Sequence, residues 1–273
     1  MGEYRLIALD MDGTLLNSKL EVTPRTRAAI RRAAQAGRHV VISTGRCLSE
    51  IRDVVRDIPE IRYMVCENGS CVYDYERDHT IRVIPVPVEE VRYILELMRR
   101  ERVTVQVFSE NQSYICAPGS DFVDRHNMRA YRETFRRSAV FDEKLFDGYG
   151  ERPFRIEKVN LYFESAEDCL RVQRMLDARP LKTSVSFDIL LEVVSERADK
   201  GWGLRELCRH LDVPVEAAIA VGDSMNDIAI LRAAGLSAAM GNACPEAKAA
   251  AHIVAPDCDH DGVAWVIENY LLR

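Results

Sequence analysis

The chain has 273 residues and 47% hydrophobic content, which suffices for one large domain or two ordinary ones. Its formal net charge of -6 argues against broad binding to the phosphate backbone of nucleic acids. The sequence has no apolar stretch of the roughly 20 residues that a membrane span needs and no signal-peptide pattern at its start, so we expect neither nucleic acid nor a membrane as a partner.

The first third of the chain alternates short apolar runs with helix patterns. The runs "YRLIALD", "RHVVIST" and "YMVCENG" predict strands, and "CLSEIRDVVRDI" has apolar residues at helical spacing. In "TPRTRAAIRRAAQAG", Thr23 is a candidate N-cap, Pro24 fits the first helical position and Gly37 ends the helix. Alternating strands and helices predict βαβ units around a parallel sheet.

The middle of the chain has a different pattern. "CVYDYERDHTIRVIPV" predicts a hairpin that leads out of the sheet, "VEEVRYILELMRRE" a helix, and "VTVQVFSENQSYICAP" two strands around a turn. "EKVNLYFES", "AEDCLRVQRMLDA" and "KTSVSFDILLEVVS" then predict a strand, a helix and a strand pair. Antiparallel pairing of this kind predicts an inserted α+β domain, to which we assign residues 84–193.

The parallel pattern resumes after this insert. "KGWGLRELCRHLDV" predicts a helix, "AAIAVGD" a strand and "MNDIAILRAAG" a further helix, and the alternation continues through "LSAAMGN", "CPEAKAAA", "HIVA" and "DGVAWVIENYLL". We therefore predict a doubly wound, Rossmann-like α/β core built from residues 1–83 and 194–273, with the α+β insert between its two halves.

The cysteines bear on the cellular compartment. All eight lie outside any CxxC pair, and most have apolar neighbours. This pattern predicts buried, reduced thiols and disfavours a zinc site. Reduced thiols are typical of cytosolic proteins, so we expect a cytoplasmic location.

Polar side chains follow several of the predicted strands. Asp10, Asp12 and Thr14 follow the first strand, Thr44 the second, and Asp223 the strand in "AAIAVGD". Because ligands bind beyond the carboxyl ends of parallel strands, we expect these side chains at one site. Crowded carboxylates repel one another, and a divalent cation that prefers oxygen ligands, such as Mg²⁺, relieves that repulsion.

The types of these side chains suit phosphoryl transfer. Of Asp10 and Asp12, one can attack phosphorus, while the other protonates the leaving oxygen and then activates water. Residues two apart in an extended segment project to the same side, so both can reach one substrate. Thr14, Thr44 and Lys200 can donate hydrogen bonds or charge to the phosphoryl oxygens, where the transition state holds negative charge.

The chain resembles the haloacid dehalogenase-like phosphohydrolases. "DMDGT" is similar to their DxDxT motif, "VISTGR" to their second motif, the lysine of "DKG" to their third, and "GDSMND" to their fourth, GDxxND, all in the same order. The resemblance implies that Asp10 is the nucleophile and Asp12 the general acid and base. It also implies that Thr44 and Lys200 bind the phosphoryl group.

The same resemblance implies a Mg²⁺ site. Its ligands would be Asp10, the main-chain carbonyl of Asp12, and Asp223, with Asp227 as a further carboxylate on the metal side. Asn226 is implied to bind phosphate or to orient the lysine. As an alternative, Asp227 is an acid at the start of a helix, where the helix dipole favours it.

Three further residues are candidates for substrate binding. Arg46 is the last residue of the second motif and either binds substrate or pairs with the insert. Asn68 and Gly69 belong to "ENG", where Asn68 either binds substrate or serves the turn before Gly69. The place of the insert, together with "TGR", "ENG" and "AMGNA", resembles the cap of the Cof-type subgroup. Members of that subgroup are mostly phosphatases of sugar phosphates and similar small phosphorylated metabolites.

We therefore predict a Mg²⁺-dependent phosphatase that hydrolyses small phosphomonoesters through an aspartyl-phosphate. Two alternatives stay open. A phosphosugar mutase uses the same intermediate but yields an isomerised phosphosugar instead of free phosphate. A phospho-accepting signalling domain also carries acids and a lysine at parallel strand ends, although Asp12 and the large insert have no role in such a domain.

Overall fold

A computed structural model of the protein describes residues 3–126 and 128–273. The strands are, in chain order, β1 (Leu6–Leu9), β2 (His39–Ser43), β3 (Tyr63–Cys66), β4 (Cys71–Asp74), β5 (His79–Val83), β6 (Val103–Ser109), β7 (Gln112–Ile115), β8 (Ala139–Phe141), β9 (Lys158–Phe163), β10 (Leu181–Ser186), β11 (Leu190–Ser195), β12 (Ala218–Gly222), β13 (Leu236–Ala239) and β14 (Ile253–Val254). The helices are α1 (Pro24–Gln35), α2 (Leu48–Arg56), α3 (Val88–Met98), α4 (Phe122–Arg125), α5 (Arg132–Ser138), α6 (Ala166–Leu176), α7 (Lys200–His210), α8 (Ile228–Ala233), α9 (Pro245–Ala250) and α10 (Gly262–Val266).

The larger sheet is the predicted doubly wound core. Among the residues described, its strand order is β14-β13-β12-β1-β2-β3-β4-β5. The strands from β14 to β3 pair in parallel, which confirms the predicted fold class. The sequence predicted that the hairpin of β4 and β5 leads out of the sheet, and this prediction is wrong. The hairpin instead extends the sheet by antiparallel pairing. All four residues of β4 are buried, because β5 covers its outer edge.

The described part of the chain divides into two compact units. The first unit comprises the described residues of Met1–Gly45, Val54–Val83 and Asp199–Arg273, and it contains the larger sheet. The second unit comprises Arg46–Asp53 and Ile84–Ala198. Besides residues of the predicted insert, the second unit therefore includes residues 46–53 and 194–198.

The second unit is built on a smaller, mostly antiparallel sheet. Its strand order is β10-β11-β9-β6-β7-β8, and only β7 and β8 pair in parallel among its described strands. Helices α3 and α6 bury Ile94 and Val172 in an apolar core with this sheet. Residues 46–53 join the unit by polar contacts: Nε2 of Gln106 donates to Oε1 of Glu50 at 2.7 Å.

Local sequence signals explain how the first unit begins. The hydroxyl of Thr23 accepts from the amide of Thr26 at 3.2 Å and caps α1, which starts at Pro24 as predicted. Gly37 has a φ of 73° and takes the chain out of the helix. The four residues of β1 are fully buried, as expected for a strand covered on both faces. Within the described residues, no helix combines the length and the apolar character required to span a membrane.

Candidate active site

The carboxyl ends of β1 and β12 bring two acids together. These strands pair in parallel, with Leu9 opposite Val221. Asp10 directly follows β1, and its amide donates to the carbonyl of Val221 at 2.9 Å, which extends the pairing by one residue. Asp223 directly follows β12. Backbone pairing therefore places both carboxylates at one edge of the sheet, where ligands of such sheets bind.

Lys200 supplies a positive charge at this edge. It is the first residue of α7, which Asp199 caps by accepting from the amide of Trp202 at 2.7 Å. The lysine side chain is fully buried, and its Nζ donates to Oδ1 of Asp10 and to Oδ1 of Asp227, each at 2.6 Å. One ammonium group thus links carboxylates from the two ends of the chain.

Asp227 is fully buried and uses both of its oxygens. Oδ1 accepts from Lys200, while Oδ2 accepts from the amides of Asp223 at 2.9 Å and Ser224 at 3.0 Å. Ser224 and Asp227 also form a capping box on the turn Met225–Asp227. Our sequence reasoning missed Ser224, although the S-x-x-D pattern of "SMND" is a signal for such a box. Asp227 therefore holds both the lysine and the loop that carries Asp223.

The loop after β1 turns back toward Asp223. Gly13 has a φ of 79°, and a Cβ on it would lie 2.7 Å from Oδ2 of Asp223. The next residue, Thr14, donates its hydroxyl to Oδ1 of Asp223 at 2.8 Å. Asn242 closes the loop by donating from Nδ2 to the carbonyl of Gly13 at 2.8 Å. The structure thus pairs Thr14 with an acid, and its predicted bond to phosphate stays a prediction.

Asp12 and Thr44 lie at the ends of neighbouring strands. Asp12 is half-buried in the turn after β1 and forms a β-bridge with Leu16. Thr44 directly follows β2, is 1% exposed, and donates its amide to the carbonyl of Val65 at 2.8 Å. The order β12-β1-β2 therefore brings Asp223, Asp12 and Thr44 to adjacent strand ends. Their catalytic roles stay predictions.

Asn226 connects the lysine to one of the predicted substrate residues. Oδ1 of Asn226 accepts from Nζ of Lys200 at 3.4 Å, and Nδ2 donates to Oδ1 of Asn68 at 3.0 Å. Asn68 and Gly69 therefore belong to the same unit as the acids. Arg46 belongs to the second unit, where its guanidinium carbon lies 5.5 Å from the ring centroid of Tyr131.

The buried acids repel one another. Burial raises the pKa of Asp10 well above its usual value, the charge of Asp227 adds to the rise, and Lys200 opposes it. Burial and Asp227 likewise raise the pKa of Asp223 to about 6. For Lys200, burial lowers the pKa, but attraction to Asp10 and Asp227 outweighs this and leaves the pKa above its usual value. The lysine thus stays charged, whereas the acids favour protonation unless a further positive charge joins them.

The acids form a group that could hold a metal ion. Carboxylate oxygens of Asp10, Asp223 and Asp227 come within 4.8 Å of one another. Three acids and one ammonium leave an excess of negative charge in a buried space, which a divalent cation would neutralise. The missing side chain at Gly13 allows the carboxylate of Asp223 to lie close against the loop after β1. The residues present therefore fit a divalent cation with oxygen ligands.

The fold and this site together place the protein in one class. A sequence profile of the haloacid dehalogenase-like hydrolases matches residues 7–267. The chain therefore belongs to this family, and the predicted resemblance is confirmed. It is a phosphatase, that is, a phosphoric monoester hydrolase, as are the named relatives it matches.

Individual relatives match along nearly the whole chain. Phosphatase YwpJ of Bacillus subtilis (strain 168) is 29% identical, with 98% of this chain and 100% of YwpJ covered. The 5-amino-6-(5-phospho-D-ribitylamino)uracil phosphatase YcsE of the same strain is 27% identical, with 99% and 97% covered. A solved haloacid dehalogenase-like hydrolase from B. subtilis superposes with a TM-score of 0.86 at 27% identity, covering 97% of this chain and 99% of that one.

Proposed function

We propose that the protein is a Mg²⁺-dependent phosphatase of small phosphomonoesters that works through an aspartyl-phosphate on Asp10. The contact between Asp10 and Lys200 carries this proposal. A carboxylate is a nucleophile only when ionised, and burial opposes its ionisation. The ammonium of Lys200, 2.6 Å from Oδ1 of Asp10, favours the ionised form and is well placed to attract a phosphoryl group.

In the first step, an oxygen of Asp10 forms a bond to phosphorus while the bond between phosphorus and the leaving oxygen breaks. Asp12 gives its proton to that leaving oxygen, which departs as an alcohol. In the second step, Asp12 takes a proton from water, and the water oxygen attacks the same phosphorus. The bond to Asp10 then breaks, which releases inorganic phosphate and restores both carboxyl groups.

The phosphoryl oxygens need donors throughout both steps. We assign this task to Lys200, Thr44, Asn226 and Thr14, because charge held by preorganised donors lowers the barrier of phosphoryl transfer. Lys200 and Thr44 are almost completely buried, so their side chains lose little further water when substrate binds. Thr14 reaches this role only by releasing Asp223, to which its hydroxyl is bonded.

We place the metal ion beside the carboxylates of this site. We assign Asp10, Asp223 and the main-chain carbonyl of Asp12 as its ligands. Asp227 serves on the same side by holding Lys200 and the loop of Asp223, because both of its oxygens already accept hydrogen bonds. When bound, Mg²⁺ supplies positive charge that neutralises the acids and the phosphoryl oxygens.

The leaving group is the least defined part of the substrate. YcsE acts on a phosphorylated ribitylaminouracil, and we infer a similarly small, polar phosphorylated metabolite here. We assign selection of the leaving group to the insert, residues 84–193, as a cap, with Arg46, Asn68 and Gly69 as further candidates. The prediction that the enzyme works in the cytoplasm is part of the same proposal.

An active-site substitution tests the reaction. Asp10→Asn should abolish hydrolysis of an aryl phosphate in the presence of Mg²⁺, because the amide is not a nucleophile under these conditions. Asp57→Asn, which changes an exposed acid of the first unit, is the matched control and should keep wild-type turnover. Wild-type turnover by Asp10→Asn would refute the proposal. With phosphosugars as substrates, release of free phosphate supports hydrolysis, and an isomerised phosphosugar supports a mutase.

A further inference from the structure

The segment Glu67–Gly69 has an unusual backbone. Glu67, Asn68 and Gly69 all have positive φ, at 58°, 54° and 92°. Glycine adopts such angles freely and asparagine tolerates them, so the strain falls on Glu67. Glu67 is fully buried and Asn68 is 6% exposed. Strain of this kind persists only where the surrounding structure enforces it, and it concentrates at functional sites.

Gly69 fixes this segment against the start of α7. A Cβ on Gly69 would lie 2.0 Å from the carbonyl oxygen of Asp199 and 2.7 Å from the amide nitrogen of Lys200. Only glycine allows so close an approach. The neighbouring Asn68 is thereby held beside the helix end that carries Lys200.

Asn68 connects the loops on both sides of β1. Its amide donates to the carbonyl of Thr44 at 3.1 Å, and its Oδ1 accepts from Nδ2 of Asn226 at 3.0 Å. Thr44 follows β2 and Asn226 follows β12, and these strands flank β1 in the sheet. Asn68 therefore links two predicted phosphate-binding residues across the strand that ends at Asp10.

The bond to Asn68 determines the orientation of the Asn226 amide. Because Nδ2 of Asn226 donates to Asn68, Oδ1 faces the other way and accepts from Oγ of Ser224 at 3.0 Å and from Nζ of Lys200 at 3.4 Å. A reversed amide would turn its NH₂ group toward the ammonium group of Lys200, donor against donor. Asn68 thus keeps an acceptor beside the lysine.

We propose that Asn68 is a positioning residue of the phosphatase reaction. By accepting from Asn226, it keeps Oδ1 of Asn226 aimed at Lys200 and so holds the lysine in the geometry in which it meets Asp10. This inference rests on the proposed function. It assigns Asn68 a different task from the substrate contact that the sequence suggested. Because the residue acts on the reacting groups, its loss lowers kcat more than it raises KM.

Substitutions at Asn68 separate its backbone from its side chain. Asn68→Gly removes the acceptor but tolerates the positive φ, whereas Asn68→Asp keeps an acceptor oxygen in a residue that also tolerates it. With an aryl phosphate and Mg²⁺, Asn68→Gly should lower kcat about tenfold and change KM less than about twofold. Asn68→Asp should lower kcat less than about threefold. An equal loss in both variants, or a loss confined to KM, would overturn the proposal.

A double-mutant cycle with Asn226→Ala gives the decisive result. If Asn226→Ala lowers kcat about 100-fold, the double variant with Asn68→Gly should lose about 100-fold as well, and not about 1000-fold. Additive losses would show that Asn68 acts independently of Asn226 and would overturn the proposal. Should Asn68→Gly fail to fold, Asn68→Asp and Asn226→Ala decide: the proposal requires that Asn68→Asp lower kcat much less than Asn226→Ala does, and equal losses would overturn it. Wild-type protein without hydrolysis would refute the proposed function itself, whereas an active wild type with additive losses refutes only the role of Asn68.

Discussion

Each unit buries a lysine against carboxylates, and the two lysines differ in their surroundings. Lys200, in the first unit, is fully buried and lies 2.6 Å from both Asp10 and Asp227. Lys158, in the second unit, is 1% exposed and lies 2.9 Å from Oε1 of Glu192. Both are therefore buried ion pairs, a feature that by itself says little about stability or function.

The excess of acid distinguishes the first unit. There Asp223 joins the pair of acids around Lys200, and its pKa rises to about 6. In the second unit, the other oxygen of Glu192 accepts from Ser184 at 3.1 Å, and Nζ of Lys158 lies 5.3 Å from the ring centroid of Phe108. The buried Glu50 also interacts with Lys158 and with Arg46, so two acids meet two cations in the second unit. Matched charges with further polar partners are typical of structural pairs, whereas unmatched charge at the edge of a sheet indicates a reactive site.

Replacing Lys200 should have the largest effect. Lys200→Met fills a similar volume but leaves Asp10 and Asp227 buried without their cation, which should destabilise the metal-free protein by about 3–5 kcal/mol. If Lys200 donates to the phosphoryl oxygens as proposed, its loss should lower kcat by about 10²- to 10³-fold. Urea unfolding and aryl phosphate hydrolysis measure the two effects, with the exposed Lys19→Met as control. Unchanged kcat would show that Lys200 has no role in the reaction.

Replacing Lys158 should affect stability more than chemistry. Lys158→Met should destabilise the protein by about 3 kcal/mol, because Glu192 is left in a nearly buried position. The double variant Lys158→Met/Glu192→Gln should recover part of that loss, since neither position then carries a charge, whereas the buried Glu50 still lacks its attraction to Lys158. The kcat for an aryl phosphate should stay within about tenfold of wild type. A loss of kcat as large as that of Lys200→Met would remove the contrast between the two lysines.

The response of the protein's stability to pH and Mg²⁺ should sharpen the contrast between the acid-rich cluster around Lys200 and the ion pair of Lys158. The pKa of Asp223 is about 6 in the folded protein against a usual 3.8, so the folded state binds this proton more tightly than the unfolded chain does. In metal-free protein, the protonated carboxyl of Asp223 therefore makes its full contribution to the free energy of unfolding below about pH 4, and this contribution is lost as pH rises through about 6. If Mg²⁺ binds the ionised acids as proposed, the rise in Tm that it causes should be larger at about pH 7.5 than at about pH 5. Asp223→Asn should make the rise in Tm caused by Mg²⁺ less dependent on pH. In the wild type, a rise in Tm that is the same at both pH values would contradict the prediction.

The smallest expected effect comes from a helix cap outside both lysine clusters, the hydroxyl of Thr23, which also donates to Oδ1 of Asp261. Thr23→Ala removes the hydroxyl that caps α1 and should cost about 1 kcal/mol of unfolding free energy. The kcat should stay at the wild-type value, because Thr23 belongs to neither lysine cluster. Denaturant unfolding with parallel kinetics checks both statements, and a changed kcat would mean that α1 influences the site.

Regular patterns made the core predictable. Apolar runs predicted β1 and β2, and Thr23 and Pro24 predicted the start of α1, because buried strands and capped helices leave local signals. The segment between β7 and β9 was not predicted. Its helix α4 has only four residues, Phe122–Arg125, and so is too short to show helical spacing. Likewise, "MNDIAILRAAG" predicted one helix, but it begins with a 3₁₀ turn in which Asp227 bonds to the amides of Asp223 and Ser224.

The hydrogen-bond partners of the site's side chains could not be predicted from the sequence, for a different reason. The motifs predicted Asp10, Lys200 and Asp223 as site residues, but a motif does not say which donor meets which acceptor. That Thr14 donates to Asp223, or that Asn68 accepts from Asn226, depends on backbone turns such as the positive φ angles after β3. Those angles are enforced by packing against α7, which lies far away in the sequence.

On the ribosome, β1 is made early, whereas its neighbour β12 is made after the whole insert. Until Ala218–Gly222 have been synthesised, the edge of β1 that β12 will cover is open, and Asp10 lacks both Lys200 and Asp223. Closure of the sheet is thus a long-range event of the kind that slows folding. A chain that ends within the insert carries Asp10, the proposed nucleophile, without Lys200, so we expect incomplete products of translation to be inactive.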